Sequence, residues 1–342
     1  MTPLKIGYLL PTRDQAVRGD HDPEQLIDLA RRAEALGFDS VWVGDSPVTR
    51  PRADPLLLLA AVAIATRRIT LGTAVLLPAL RHPILLAHQL ATLDRLADGR
   101  LIVGMGGGFP NAGTEAQFAA VGVVFSRRIS RLEESIEAMR RLWTAEEVSF
   151  TGRHFDFHDV RLAPAPTRPA GPPIWLAGGG EPALRRVARL ADGWLPYPPA
   201  VQDYARDLAV IQQSAARTLT PALYATLCLD EEPERARRRL RTSIERYYNA
   251  PLEAVETIQA MFAGTAHQAA GWLNAYTGAG ARHVVIRLAV DDHHAGLEEF
   301  AGRVLPLIRT EGISMTMSSG ESRDLLRRDR GEDPVVAQQG PQ

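Results

Sequence analysis

Three glycine-bearing segments mark where this sequence could do chemistry. In Ile174-Trp175-Leu176-Ala177-Gly178-Gly179-Gly180-Glu181-Pro182 an apolar run stops in three glycines, and a helix start follows at about Pro182. Residues without a Cβ let a ligand approach the backbone, and a helix N-terminus points free N–H groups at an anion. Phosphate binding is one reading; a tight strand-to-helix turn that needs positive φ explains the same residues equally well. The second segment is Gly104-Met105-Gly106-Gly107-Gly108-Phe109. Glycine at that density makes a poor strand, so a flat or bulky group against the backbone would account for it. Its spacing does not fit the dinucleotide fingerprint in a βαβ setting. In the third, Trp42-Val43-Gly44-Asp45-Ser46, a carboxylate emerges as a strand ends, either to meet a ligand or to cap a loop.

The other reactive types are less suggestive. The single cysteine, Cys228, rules out an intramolecular disulfide and sits in the apolar stretch Ala222–Leu229, as a buried structural residue would. His82 precedes a proline at a helix start, which favours capping or packing over catalysis. Asp291-Asp292-His293-His294 lies on one short loop without partners at ligand spacing, so no metal site is expected. Arg13 and Asp14 follow the first strand and could meet a substrate, water or each other. No acid–base pair or nucleophile stands out.

Short strand-like runs alternate with helix-period runs, the pattern of a parallel sheet with crossover helices. The candidate strands are Leu4–Leu10, Ser40–Gly44, Ile69–Val75, Arg100–Met105, Ile174–Ala177, Gly193–Pro196, Ala222–Leu229 and His283–Leu288. Eight is the number that a closed (β/α)8 TIM barrel needs, and its sites lie in the loops after the strands. Asp22 and Pro23 open a helix with Gln25 completing a capping box, and Leu26, Leu29, Ala30, Ala33 and Leu36 form its buried stripe. A long helix is predicted over about Arg127–Trp143, with a solvated Glu137/Arg141 pair. After it, Glu147–Phe150 and His154–His158 form a hairpin around Thr151-Gly152-Arg153, an excursion after the fourth strand too short for its own core. The expected organisation is one barrel domain over residues 1–311 and a polar, disordered tail over 312–342.

Composition sets bounds. The chain has 342 residues, 45% hydrophobic and 23% charged, with a formal net charge of -1. This gives no electrostatic case for nucleic acid or an anionic membrane. Lys5 is the only lysine. No apolar stretch approaches the roughly 20 residues of a membrane span, and the first ten residues do not read as a signal peptide, so a cytoplasmic protein is expected.

The order of motifs carries more than any single one. Ala33-Glu34-Ala35-Leu36-Gly37-Phe38-Asp39-Ser40-Val41-Trp42 precedes Ala65-Thr66-Arg67-Arg68-Ile69-Thr70-Leu71-Gly72-Thr73. Arg81-His82-Pro83, Leu93-Asp94-Arg95-Leu96-Ala97-Asp98-Gly99-Arg100 and the glycine run follow, then Arg128, Arg131 and Glu134, then Ala191-Asp192-Gly193-Trp194. The series resembles the bacterial luciferase-like family of flavin-dependent oxidoreductases from about Leu4 to Arg309. The resemblance implies that Asp45 and Thr73 lie beside the isoalloxazine ring or its deaza-analogue. It implies that Gly106, Gly107 and Gly108 pass near the ring or its side chain, and that Gly178, Gly179 and Gly180 meet the phosphate. Gly72-Thr73 falls where deazaflavin-using members show an irregular, sometimes cis, peptide.

This chain departs from the subgroup that oxidises sugar phosphates with the deazaflavin coenzyme. Ser46 stands where that subgroup has a histidine, and the lysines of its phosphate site are missing, so sugar-phosphate oxidation is not expected. The leading expectation is a monooxygenase using reduced FMN, supplied by a separate flavin reductase, and oxygen on a small organic substrate. The alternative is a coenzyme F420-dependent dehydrogenase or reductase; a non-catalytic flavin-binding protein is a minor third. The resemblance also implies a homodimer. The loops Pro11–Asp20 and Pro47–Asp54, with the hairpin, would select the substrate.

Overall fold

The structure, a computed structural model, describes residues 4–144 and 146–308. The polar segment 312–342 lies outside them. Strand β1 (Lys5–Leu9) leads to helices α1 (Thr12–Val17) and α2 (Pro23–Ala35), β2 (Ser40–Val43) to α3 (Pro55–Ala65), and β3 (Thr70–Thr73) to α4 (Pro83–Leu96). After β4 (Leu101–Met105) come α5 (Ala112–Ala120), α6 (Arg128–Leu142) and an antiparallel hairpin, β5 (Glu147–Thr151) with β6 (Asp156–Arg161). Strand β7 (Ile174–Leu176) leads to α7 (Glu181–Leu190), β8 (Gly193–Trp194) to α8 (Val201–Ser214), and β9 (Thr220–Leu229) to α9 (Pro233–Tyr248) and α10 (Leu252–Glu256). The chain continues through β10 (Met261–Gly264), α11 (Ala266–Gly278), β11 (His283–Leu288) and α12 (His293–Arg303).

The helices start where short polar side chains or proline favour it. Asp22 accepts from the Glu24 amide ahead of α2, and Asp54 accepts from the Leu56 and Leu57 amides ahead of α3. His82 caps α4 through the Ile84 amide, the structural role its sequence position favours.

Strands β1-β2-β3-β4-β7-β8-β9-β11 form a ring of parallel pairs, closed by β8–β9 and β11–β1. These are the eight strands read from the sequence, and the fold is a TIM barrel with the hairpin as its excursion after the fourth strand. Met261–Gly264 is an additional strand. Along β9, the two-residue β8 pairs only with Thr220 and Pro221, and β10 takes over the same edge from Thr226 to Leu229.

The barrel interior is filled rather than hollow. Trp42 and Trp175 lie with ring centroids 5.3 Å apart, and the His283 ring meets both edge-on. The Trp42 indole donates to Ser40 Oγ at 2.7 Å, which is also 2.7 Å from His283 Nε2. A side chain at Gly72 would collide with Trp42, and one at Gly193 with Trp175, so these two motif glycines make room for the plug.

Candidate functional site

Above the plug, the carboxyl ends of the strands open into a cavity of ≈ 1250 Å³. Asp45, Gly106, Gly107, Gly108, Gly178 and Gly179 line it. Thr73 and Gly180 do not line it. Thr73 is fully buried and its hydroxyl donates to the Gly104 carbonyl at 2.7 Å, tying β3 to β4. Gly180 is the N-cap of α7, with φ 78°.

Asp45 clamps the loop after β3. Its Oδ2 accepts from the Leu77 amide at 2.9 Å and from Arg81 Nη1 at 2.5 Å, and Arg81 Nη2 reaches Oδ1 at 3.2 Å. The carboxylate is therefore neutralised by a two-pronged guanidinium. The peptide between Ala74 and Val75, just beyond Gly72-Thr73, is cis.

The glycine runs have separable causes. A Cβ at Gly106 would lie 2.7 Å from Val75 Cγ2, and one at Gly107 2.5 Å from Ile129 Cδ1. Packing explains both. Gly108 and Gly180 adopt positive φ, and so does Gly178, whose carbonyl accepts from the Trp194 indole at 3.0 Å. Gly179 needs neither explanation: a Cβ there would meet nothing nearer than Asp207 Oδ2 at 3.9 Å, and it faces the cavity at the start of α7. At that position the missing side chain leaves space that a ligand can use.

The opposite wall was not visible in the motifs. Tyr247 and Tyr248 end α9, which Asn249 stops in the left-handed conformation, and they join Tyr197 and Tyr224 on the cavity. The adjacent tyrosine pair before an asparagine was the available signal. Burial pushes the Tyr224 phenol well above its usual pKa and the Tyr248 phenol up to about 12, so both stay protonated near neutral pH. Arg13, Arg50 and Arg52 also line this side. Asp14 does not pair with Arg13; it forms a buried 2.7 Å ion pair with Arg287, which also donates to Ser243.

The remaining candidates serve the scaffold. Burial raises the Cys228 thiol to about 11. Asp292 caps α12 through the Ala295 amide, Asp291 pairs with Arg246 at 2.8 Å, and His293 Nδ1 lies 2.8 Å from the Tyr8 hydroxyl. Ser46 Oγ donates to Gln117 and accepts from the Arg50 amide, bracing the loop after β2.

The chain matches the luciferase-like monooxygenase family over residues 4–304. It belongs to that family and is an oxidoreductase, as its curated dehydrogenase relatives are. An F420-dependent glucose-6-phosphate dehydrogenase of Kineococcus radiotolerans is 29% identical, the match covering 90% of this chain and 98% of the relative. The enzyme of the same name from Intrasporangium calvum is 30% identical over 90% of this chain and 99% of its own. Among solved structures, an F420-dependent secondary alcohol dehydrogenase superposes with TM-score 0.73 at 20% identity, covering 90% of this chain and 99% of that one. A monooxygenase from Streptomyces bottropensis gives TM-score 0.74 at 23% identity, over 89% and 99%. At such identities the structures establish the fold alone. Among the described residues, no helix is long and apolar enough to cross a membrane.

Proposed function

We propose that this luciferase-like oxidoreductase is an F420-dependent dehydrogenase or reductase, moving a hydride instead of inserting oxygen. The observation that carries this reading is the similarity to F420-dependent enzymes along nine-tenths of the chain. The solved structures, F420-dependent or oxygen-inserting alike, match at 19–23% identity and do not decide between the two. The alternative raised by the sequence is therefore the better supported reading, ahead of reduced FMN with oxygen.

The residues present fit such a coenzyme. Gly178 and Gly179 would seat its phosphate beside the first turn of α7, where Gly179 lacks a side chain without a packing cause. Val75, Gly106 and the Asp45 clamp would flank the ring. Bound there, the coenzyme supplies a hydride carrier. The chain's own part is to exclude water, orient the substrate and present phenols that burial keeps protonated; a phenol raised to about 12 is a weaker acid than usual, so its role is a hydrogen bond to a developing oxyanion, which suits reduction of a carbonyl or conjugated double bond. Ser46, held by Gln117 and the Arg50 amide, gives no support for sugar-phosphate oxidation despite the relatives' name.

Turnover under anaerobic conditions tests the reading. With reduced F420 and a panel of ketones and enones, coenzyme oxidation should proceed at full rate without oxygen. Oxygen consumption stoichiometric with product would overturn it.

A further inference from the structure

Arg13 comes from the first turn after β1, and Arg50 and Arg52 from the loop after β2; all three are half-buried on the cavity wall. None forms an ion pair with a carboxylate among the described residues, in contrast to three other arginines of the barrel. Arg81 is committed to Asp45, Arg186 to Glu133 and Arg287 to Asp14. Arg13 Nε is buried without a partner. Arg50 lies over the Tyr248 ring, 5.2 Å from its centroid, and Arg52 donates only to the Arg50 carbonyl and, at 3.4 Å, to the Tyr247 hydroxyl. A side chain at Gly44 would run into the Arg52 guanidinium, which places that group directly over the end of β2. Desolvation, followed by the charge of Arg52, lowers the Arg13 pKa, as expected for crowded cations lacking a counter-ion.

Like charges gathered in a partly desolvated pocket repel unless an anion completes them, and a guanidinium fork suits a carboxylate or phosphate. Two anions could be involved: one on the substrate, or the acidic tail of the coenzyme. The position favours the substrate. Arg13 and Arg52 sit at β1 and β2, next to Asp45 and Ala74, whereas the proposed phosphate seat follows β7, with β3 and β4 intervening around the ring. We infer that Arg13, Arg50 and Arg52 form a subsite for an anionic group, carboxylate or phosphate, on the substrate. The assignment to substrate rests on the coenzyme reading above; the anion-binding property does not.

The test titrates coenzyme-free protein with succinate and with inorganic phosphate, with glycerol as a neutral control, following intrinsic fluorescence at low salt. Coenzyme affinity is measured separately on the same variants. Wild type should bind at least one anion and not glycerol, preference for phosphate or succinate identifying which anion the substrate carries. R13Q/R50Q should weaken that binding at least tenfold, and R13K/R50K, which keeps the charge, should recover part of it. F420 affinity should stay within twofold in both. Anion binding unchanged in R13Q/R50Q, or absent from wild type, would overturn the subsite. A tenfold loss of F420 affinity in R13Q/R50Q would assign the arginines to the coenzyme tail and overturn the substrate reading. Absence of F420 binding in wild type would count against the coenzyme reading while leaving the anion titration interpretable.

Discussion

At the scale of single residues, the recognisable motifs turn out to hold the scaffold more than the ligand. The Glu34 carboxylate accepts from the backbone amides of Arg67, Arg68 and Ile69, Asp39 accepts from the Ile6 amide, and Asp192 accepts from the Ile174 amide while binding Arg140. Asp45 does the same for the loop after β3. Arg81→Met would leave the Asp45 carboxylate, 2% exposed, without its cation. Losing one partner of a buried pair costs about 3–5 kcal/mol, and Arg81's partial exposure puts this case near 3. Urea unfolding should show that loss; a change under about 1 kcal/mol would mean that the pair bears little of the loop's stability. Gly179→Val makes the opposite split: the melting temperature should hold, since no atom blocks the side chain, while coenzyme affinity drops at least tenfold, about 1.4 kcal/mol. Unchanged affinity in a folded variant would return Gly178–Gly180 to a simple turn. The sequence made these glycines and acids conspicuous, but which of them face a ligand depends on neighbours far away in the chain, such as Val75, Ile129 and Trp194.

At the scale of elements, legibility followed length and periodicity. Helices α2 and α6 were readable from their apolar stripes, and the hairpin from its turn. The six-residue α1, with no side-chain cap, and the four-residue β10 carry too little pattern to be told from loop, yet α1 places Arg13 and Asp14. One side chain of α6 gathers three amides of the hairpin turn, beside the 2.7 Å contact of Ser130 Oγ with His154 Nε2. Glu134 accepts from the amides of Arg153, His154 and Phe155 at 3.0, 2.8 and 2.7 Å. Glu134→Ala should therefore speed hydrogen exchange at those three amides and leave β1 and β11 protected, a local opening rather than a global one. Equal exchange in both proteins would show that the hairpin stands without the clamp. Within the sheet, a Cβ at Gly104 would strike the Thr73 carbonyl across β3 and β4. Gly104→Ala is expected to cost about 1–3 kcal/mol by overpacking, read from the denaturant midpoint.

At the scale of the whole molecule, closure of the ring joins residues more than two hundred positions apart, as Ser40 with His283, and no local pattern announces such a pair. Burial holds His283 at about 3 and His293 at about 4, below the usual value near 6.5. A histidine depressed in this way takes up its proton more readily when unfolded. Stability should thus be complete above about pH 6.5 and fall as the pH drops toward the folded values, by up to about 1.4 kcal/mol per unit for each ring. His283→Asn should flatten that decline between pH 6.5 and 4; an unchanged slope would mean that other groups set it. The central claim concerns what the cavity holds, and side-by-side equilibrium titration of the purified protein with F420 and with reduced FMN tests it most directly. F420 is expected to bind in the micromolar range, about 8 kcal/mol, and at least tenfold more tightly than FMN. Tighter binding of FMN, or no binding of either below about millimolar, would contradict it.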